Sequence, residues 1–180
     1  MKLHKYLHEY DFPYHDYLIG NYNFFKNHYL KGINEANKIG SNNVIFYDNP
    51  IWEFLNEKLV KIVQENYYVS NYFNHSGIGI YMQDNKNNVL LTHNHIDVST
   101  ITGVFYINPP KEEEGGGLKF CPNSLDYPFT IQPKKDKLYL FPSWMMHVPL
   151  PQTTQTPRVS LNWGYASGIR PIHKITGDIW

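Results

Sequence analysis

The chain has 180 residues, and its 16 lysines and arginines balance 16 aspartates and glutamates to a formal net charge of zero. That length argues for one domain, and zero charge removes the basic footprint of a nucleic-acid binder. A hydrophobic share of 42% excludes a disordered chain, and a lone cysteine, Cys121, excludes both an internal disulfide and a cysteine-based zinc site.

A free cysteine fits a reducing compartment. No stretch reaches the ~18 apolar residues of a membrane span, and residues 1–6 carry no apolar run of the signal-peptide kind. The expectation is a soluble, cytoplasmic protein with a single domain over 1–180. Helical support would occupy 1–68, a β core 69–166 and a C-terminal tail 167–180.

Residues 21–39 place Phe24, Phe25, Tyr29, Leu30 and Ile33 at helical spacing and stop at Gly40, which predicts an amphipathic helix. A second helix is predicted from Asn49, a capping residue, and Pro50, which suits the first helical position. Ile51, Leu55, Leu59, Ile62 and Val63 form its apolar stripe. From about residue 69 the pattern changes to short runs of β-branched and aromatic residues. Strands are predicted over 77–83, 89–97, 99–107, 118–121, 129–132, 137–142, 144–149 and 158–165. Residues 84–88 favour a hairpin turn, and 108–117 read as a long flexible loop with a solvated acidic run. The fold class is therefore mainly β with two N-terminal helices: an antiparallel sandwich or barrel, for which a double-sheet jelly roll is one closure.

The segment Leu91-Thr-His93-Asn-His95-Ile-Asp97 carries the chemistry. In a strand, side chains two apart share a face, which would gather His93, His95 and Asp97. His95, Asp97 and a distant histidine, His147, would make a facial triad that leaves three positions of an octahedral Fe(II) open. Those positions suit a bidentate keto acid and O2. In the last strand, alternation puts Arg158, Ser160 and Asn162 on one face. An inward arginine requires an anion, and its planar fork suits a carboxylate, with Ser160 adding a hydroxyl.

In order along the chain stand His95-Ile-Asp97, the run from Gly103 to Asn108, three glycines at 115–117, Phe141-Pro-Ser143, His147 and Arg158-Val-Ser160. This order resembles the Fe(II)- and 2-oxoglutarate-dependent oxygenases, and within them the prolyl-hydroxylase-like group that includes short enzymes of phages and bacteria. The resemblance covers about residues 77–166. It implies a double-stranded β-helix core of cupin-like jelly-roll form, braced by the two helices.

It also implies Fe(II) on His95, Asp97 and His147, and the distal carboxylate of 2-oxoglutarate on Arg158. Tyr106 and, less directly, Tyr81 match further cosubstrate contacts. O2 would be consumed, succinate and CO2 released, and a substrate C–H bond hydroxylated. The implied substrate is a prolyl residue of a peptide or protein, or a free amino acid or other small molecule. Asn162, Trp163 and Trp144 stand near the expected mouth as substrate-facing residues, and His93 is expected either behind the metal ligands, supporting them, or facing substrate. The histidines of His93-Asn-His95 form the metal pair in the cupin alternative, which adds a glutamate a few residues on, where Ser99 and Thr100 stand here. A non-catalytic jelly-roll module is the second functional reading. It expects no convergence of His95, Asp97 and His147, and Arg158 in solvent.

Overall fold

A computed structural model describes residues 2–70, 77–83, 91–122, 127–154 and 156–180. The predicted hairpin turn at 84–88 lies outside these residues, as does the start of the predicted strand at 89–97. The remaining strands occur close to their expected bounds. They are β5 (Ile78–Gln83), β6 (Ile101–Asn108), β7 (Leu118–Cys121), β8 (Phe129–Ile131), β9 (Lys137–Pro142), β10 (Met146–Pro149) and β11 (Arg158–Tyr165).

The helices also follow the pattern. The helix α2 spans Tyr22–Lys38, and α3 spans Pro50–Asn66. The Asn49 side chain accepts hydrogen bonds from the backbone N–H groups of Ile51 and Trp52, a cap worth ~1 kcal/mol. A short helix, α1 (His15–Gly20), precedes them.

The first 68 residues hold more than helical support. The strands β1 (Lys2–His4), β2 (Leu7–Asp11) and β3 (Val44–Phe46) join a seven-stranded sheet of order β1-β2-β9-β6-β11-β5-β3. These strands are short, and β1 and β2 carry polar residues, so local alternation is too brief to announce them; β2 is made by pairing with β9 and β3 by pairing with β5. The tail is structured as well. Its β12 (Ile172–His173) pairs with β4 (Tyr67–Tyr68). A third, three-stranded sheet has the order β10-β7-β8.

Alternation sorts the large sheet into two faces. Phe105, Ile107, Leu138, Leu140, Val159 and Leu161 turn outward and pack with Leu55, Leu59 and Val63 of α3. Val104, Tyr106, Tyr139 and Phe141 turn inward and meet Leu118 and Phe120 of the small sheet. The space between the two sheets is therefore lined by the even-numbered residues of β11, namely Arg158, Ser160 and Asn162. This is a double-stranded β-helix. Among the described residues no helix is long and apolar enough to cross a membrane.

The loop at 108–117 is pinned rather than loose. Backbone bonds run from Gly116 N–H to the Pro151 carbonyl (2.9 Å) and from Thr153 N–H to the Glu114 carbonyl (2.9 Å). Gly115 and Gly116 both have φ near +70°, at 72° and 71°, which only glycine adopts without strain.

Candidate active site

His147 lies on β10 opposite Phe120 of β7. His93 forms an isolated antiparallel bridge with His147, exchanging both backbone hydrogen bonds at 3.0 and 2.9 Å. His95 donates its backbone N–H to the Ser143 carbonyl at 2.8 Å. These bonds seat three imidazoles together. Ring centroids are 4.5 Å apart for His93 and His147, and 5.1 Å for His95 with each of the others. One ligand nitrogen from each lies within 4.8 Å of the other two.

The tautomers follow from the acceptors. His93 Nδ1 faces the Leu91 carbonyl at 2.9 Å, and His147 Nδ1 faces the Met145 carbonyl at 3.0 Å. A carbonyl only accepts, so each Nδ1 carries the hydrogen and each Nε2 keeps a free lone pair. His95 Nε2 is buried without a hydrogen-bond partner. Burial, reinforced by the neighbouring imidazoles, holds His95 down to about 4 and His147 down to about 3. Both rings are therefore neutral at neutral pH. Three imidazoles with ligand nitrogens within 4.8 Å of one another, one of them orphaned, fit a divalent metal.

Asp97 is not in this group. The expected alternation ends at His95 because the chain turns there: Val98 N–H and Ser99 N–H both donate to the His95 carbonyl at 3.1 Å. Asp97 sits in that turn and is exposed. The described part of 89–97 is an isolated bridge followed by a turn, not a strand, and His93 takes the place beside His95 and His147.

Ser143 ties the histidine segment to the sheets. Its hydroxyl lies 2.7 Å from Ser99 Oγ and 2.8 Å from Thr102 Oγ1. Its N–H donates to the Thr100 carbonyl (3.1 Å), while its own carbonyl holds His95. The Phe-Pro-Ser run thus has a mechanical role that its sequence position alone does not reveal.

Arg158 is 1% exposed. Its Nη1 donates to the Gly116 carbonyl and its Nη2 to Gln83 Oε1, while Nε has no partner. Both partners are neutral. Among the described residues no carboxylate pairs with this guanidinium, which leaves a buried cation in want of an anion. One register row nearer the histidines, Ser160 stands between Tyr81 and Tyr106. Burial raises both phenols, Tyr81 to about 12, against the opposing pull of the Arg158 charge. Tyr81, Tyr106, Ser160 and Leu118 line a cavity that reaches His93 and His147.

The remaining sequence candidates divide. Asn162 lines this cavity and donates from Nδ2 to Asn43 Oδ1 at 3.0 Å. Trp163 turns to the helix side, is 2% exposed, and donates from Nε1 to Asn56 of α3 at 3.0 Å. It packs in the core, because odd-numbered positions of β11 face the helices, and it also borders a cavity beside His95. Trp144 packs edge-on against Tyr6, centroids 4.9 Å apart, in the turn between β9 and β10. It lines a separate groove with Ile96, Ile169 and Arg170. Sequence reasoning missed Gln83 and Asn43 altogether; both are contributed by registers that no local pattern specifies.

Two sheets of a double-stranded β-helix thus enclose three convergent histidines that fit a metal, and the large sheet buries an arginine. The model of the 2OG-Fe(II) oxygenase superfamily matches residues 70–164, just over half of the chain. The chain belongs to that superfamily, and is a 2-oxoglutarate-dependent Fe(II) dioxygenase that uses Fe(II), 2-oxoglutarate and O2.

Solved structures of prolyl hydroxylases share its fold. One from Trichoplax adhaerens, in complex with a hypoxia inducible factor oxygen degradation domain peptide fragment, is similar at TM-score 0.67 and 16% identity, covering 91% of this chain and 84% of that one. A prolyl-4-hydroxylase from Pseudomonas putida is similar at TM-score 0.61 and 15% identity, covering 90% and 93%. The viral collagen prolyl hydroxylase of Paramecium Bursaria Chlorella virus-1 gives TM-score 0.58 at 16% identity, covering 89% and 90%. No curated protein matches the sequence. Of the two expectations of the non-catalytic module, solvent exposure of Arg158 is not met, since Arg158 is buried; Asp97 does stay apart from His95 and His147, but His93 converges with them instead.

Proposed function

We propose that this enzyme hydroxylates an unactivated C–H bond, of a prolyl or similar residue in a peptide or protein or of an amino acid, with Fe(II) held by His93, His95 and His147. The balance is substrate, 2-oxoglutarate and O2 to hydroxylated substrate, succinate and CO2. Bound iron supplies the activation of O2. The protein supplies the rest. His93 and His147 are held in one tautomer by the Leu91 and Met145 carbonyls. Arg158 receives the distal carboxylate of 2-oxoglutarate, and Tyr81, Tyr106 and Ser160 line the path to it. Imidazole ligands would bring no negative charge to a divalent metal, and the cosubstrate dianion would offset that charge where, among the described residues, no carboxylate joins the cluster. The kinship of fold with peptide-bound prolyl hydroxylase supports a peptide substrate by analogy. A reducing cytoplasm suits the unpaired Cys121 and ferrous iron.

The observation that carries this reading is the buried Arg158 of the large sheet, paired among the described residues only with neutral groups, in a molecule whose small sheet carries the histidine cluster. The test is anaerobic addition of Fe(II) and 2-oxoglutarate. A weak visible charge-transfer band that needs both components supports the assignment, and its absence with the folded protein refutes it. Succinate release stimulated by peptides or amino acids then identifies the substrate.

A further inference from the structure

A second cavity adjoins the site, on the other side of the Asn43–Asn162 pair. Both asparagines line both cavities, so their 3.0 Å hydrogen bond is a partition between them. His95 forms one wall of the second cavity, whereas His93 and His147 border the first. Its other walls include Ile45, Gly79, Val98, Ser99, Thr102 and Trp163. Ile45 and Val98 are 47% and 57% exposed, which marks them as the rim.

We infer that this second cavity is the substrate subsite, that it selects an uncharged, largely apolar group, and that Gly79 sets its depth. The inference rests on the cosubstrate reading of the first cavity. Among the described residues the lining carries no Asp, Glu, Lys or Arg. A charged group entering here loses water and gains no counter-ion. The same logic disfavours a free amino acid, whose ammonium and carboxylate both need partners, and favours the same residue with its ends in amide bonds.

Gly79 lies opposite Asn162 in the β11–β5 ladder and opposite Ile45 of β3. A Cβ built there would enter beside Asn43, whose nearest side-chain atom is 3.5 Å away, an ordinary contact. Position 79 thus tolerates a side chain and yields cavity space in proportion to its size. Gly77 differs, because a Cβ there would meet the Phe46 carbonyl oxygen at 2.6 Å.

The test uses full-length protein with labelled isoleucine, leucine and valine methyl groups, titrated without oxygen and in the presence of 2-oxoglutarate. The probes are N-acetylproline amide, N-acetylleucine amide, N-acetyllysine amide, N-acetylglutamate amide and free proline. The neutral apolar amides are expected to shift the Ile45 and Val98 methyl signals saturably, with at least about tenfold tighter binding than the charged probes. Gly79→Val is expected to weaken them by at least about tenfold, while 2-oxoglutarate still shifts Val104 and Leu118. Should that variant fold poorly, Ile45→Glu at the exposed rim reverses the order, favouring the lysine amide over the leucine amide. Equal binding of charged probes overturns the inference, as does silence of Ile45 and Val98 towards every apolar amide. Loss of the 2-oxoglutarate response in the unaltered protein overturns the cosubstrate reading instead.

Discussion

His93 and His147 face each other across a single antiparallel bridge, and the two backbone bonds they exchange bring their rings to 4.5 Å. The bridge extends the small sheet past β10 by one residue, and that residue is a metal-ligating type. Replacing either histidine removes a nitrogen from the cluster, whereas Asp97 stands in solvent beyond it.

This relationship separates two ligand sets. His93→Ala is expected to weaken Fe(II) binding by more than the ~10–100-fold typical of losing a group that merely supports a ligand. Asp97→Ala is expected to leave it within about twofold. Anaerobic metal titration of the two variants decides. Retention in the first and loss in the second would restore the two-histidine, one-carboxylate set.

Arg158 gives a second test. Removing a buried charge that pairs with a ligand anion costs ~2–5 kcal/mol of binding, so Arg158→Met should weaken 2-oxoglutarate by about 30-fold or more. Iron binding should persist, because Arg158 is not among the residues that converge on the metal. Arg158→Lys keeps the charge but loses the fork, and should fall between. Calorimetric titration of 2-oxoglutarate into the metal-loaded protein measures both.

Ser143 links stability to the site. Ser143→Ala leaves the hydroxyls of Ser99 and Thr102 short of a partner in a buried setting, at a cost of ~1–3 kcal/mol. At this size each kcal/mol lowers Tm by about 2–4 °C. Thermal unfolding with and without metal should show a further loss of metal stabilisation, since the same residue's carbonyl holds His95. By contrast, Asn49→Ala at the start of α3 should cost ~1 kcal/mol of stability, lowering Tm by about 2–4 °C, while leaving metal stabilisation unchanged.

The buried tyrosines set an alkaline limit. Burial raises Tyr10 and Tyr81 to about 12, and pushes Tyr67, Tyr106 and Tyr139 upward as well. In the unfolded chain these phenols ionise near the usual ~10. A folded value above the unfolded one means the stability they contribute is complete below about pH 10 and lost as pH rises through about 12. Tyrosinate absorbance should therefore appear in two phases. The later phase is the buried set, released together with loss of tertiary structure. Independent, gradual ionisation of all fifteen tyrosines would contradict the burial.

Local pattern was enough for much of this. The apolar stripe after Asn49 implies α3, strict alternation in 158–165 implies that Arg158, Ser160 and Asn162 share a face, and the Phe-Pro-Ser…His147 run implies a strand that carries a ligand. These are properties of a periodicity, which neighbouring residues encode among themselves. The composition of the metal cluster is of another kind. Alternation from His93 to Asp97 presumes an unbroken strand, and the turn closed on the His95 carbonyl breaks it. That turn exists because Ser143, nearly fifty positions away, fixes His95 and Ser99. The same holds for Gln83 beside Arg158, Asn43 beside Asn162, and the assignment of Trp163 to the helix side. Each is settled by which strands lie next to one another, and pairing between segments far apart in the chain leaves no periodic trace in either of them.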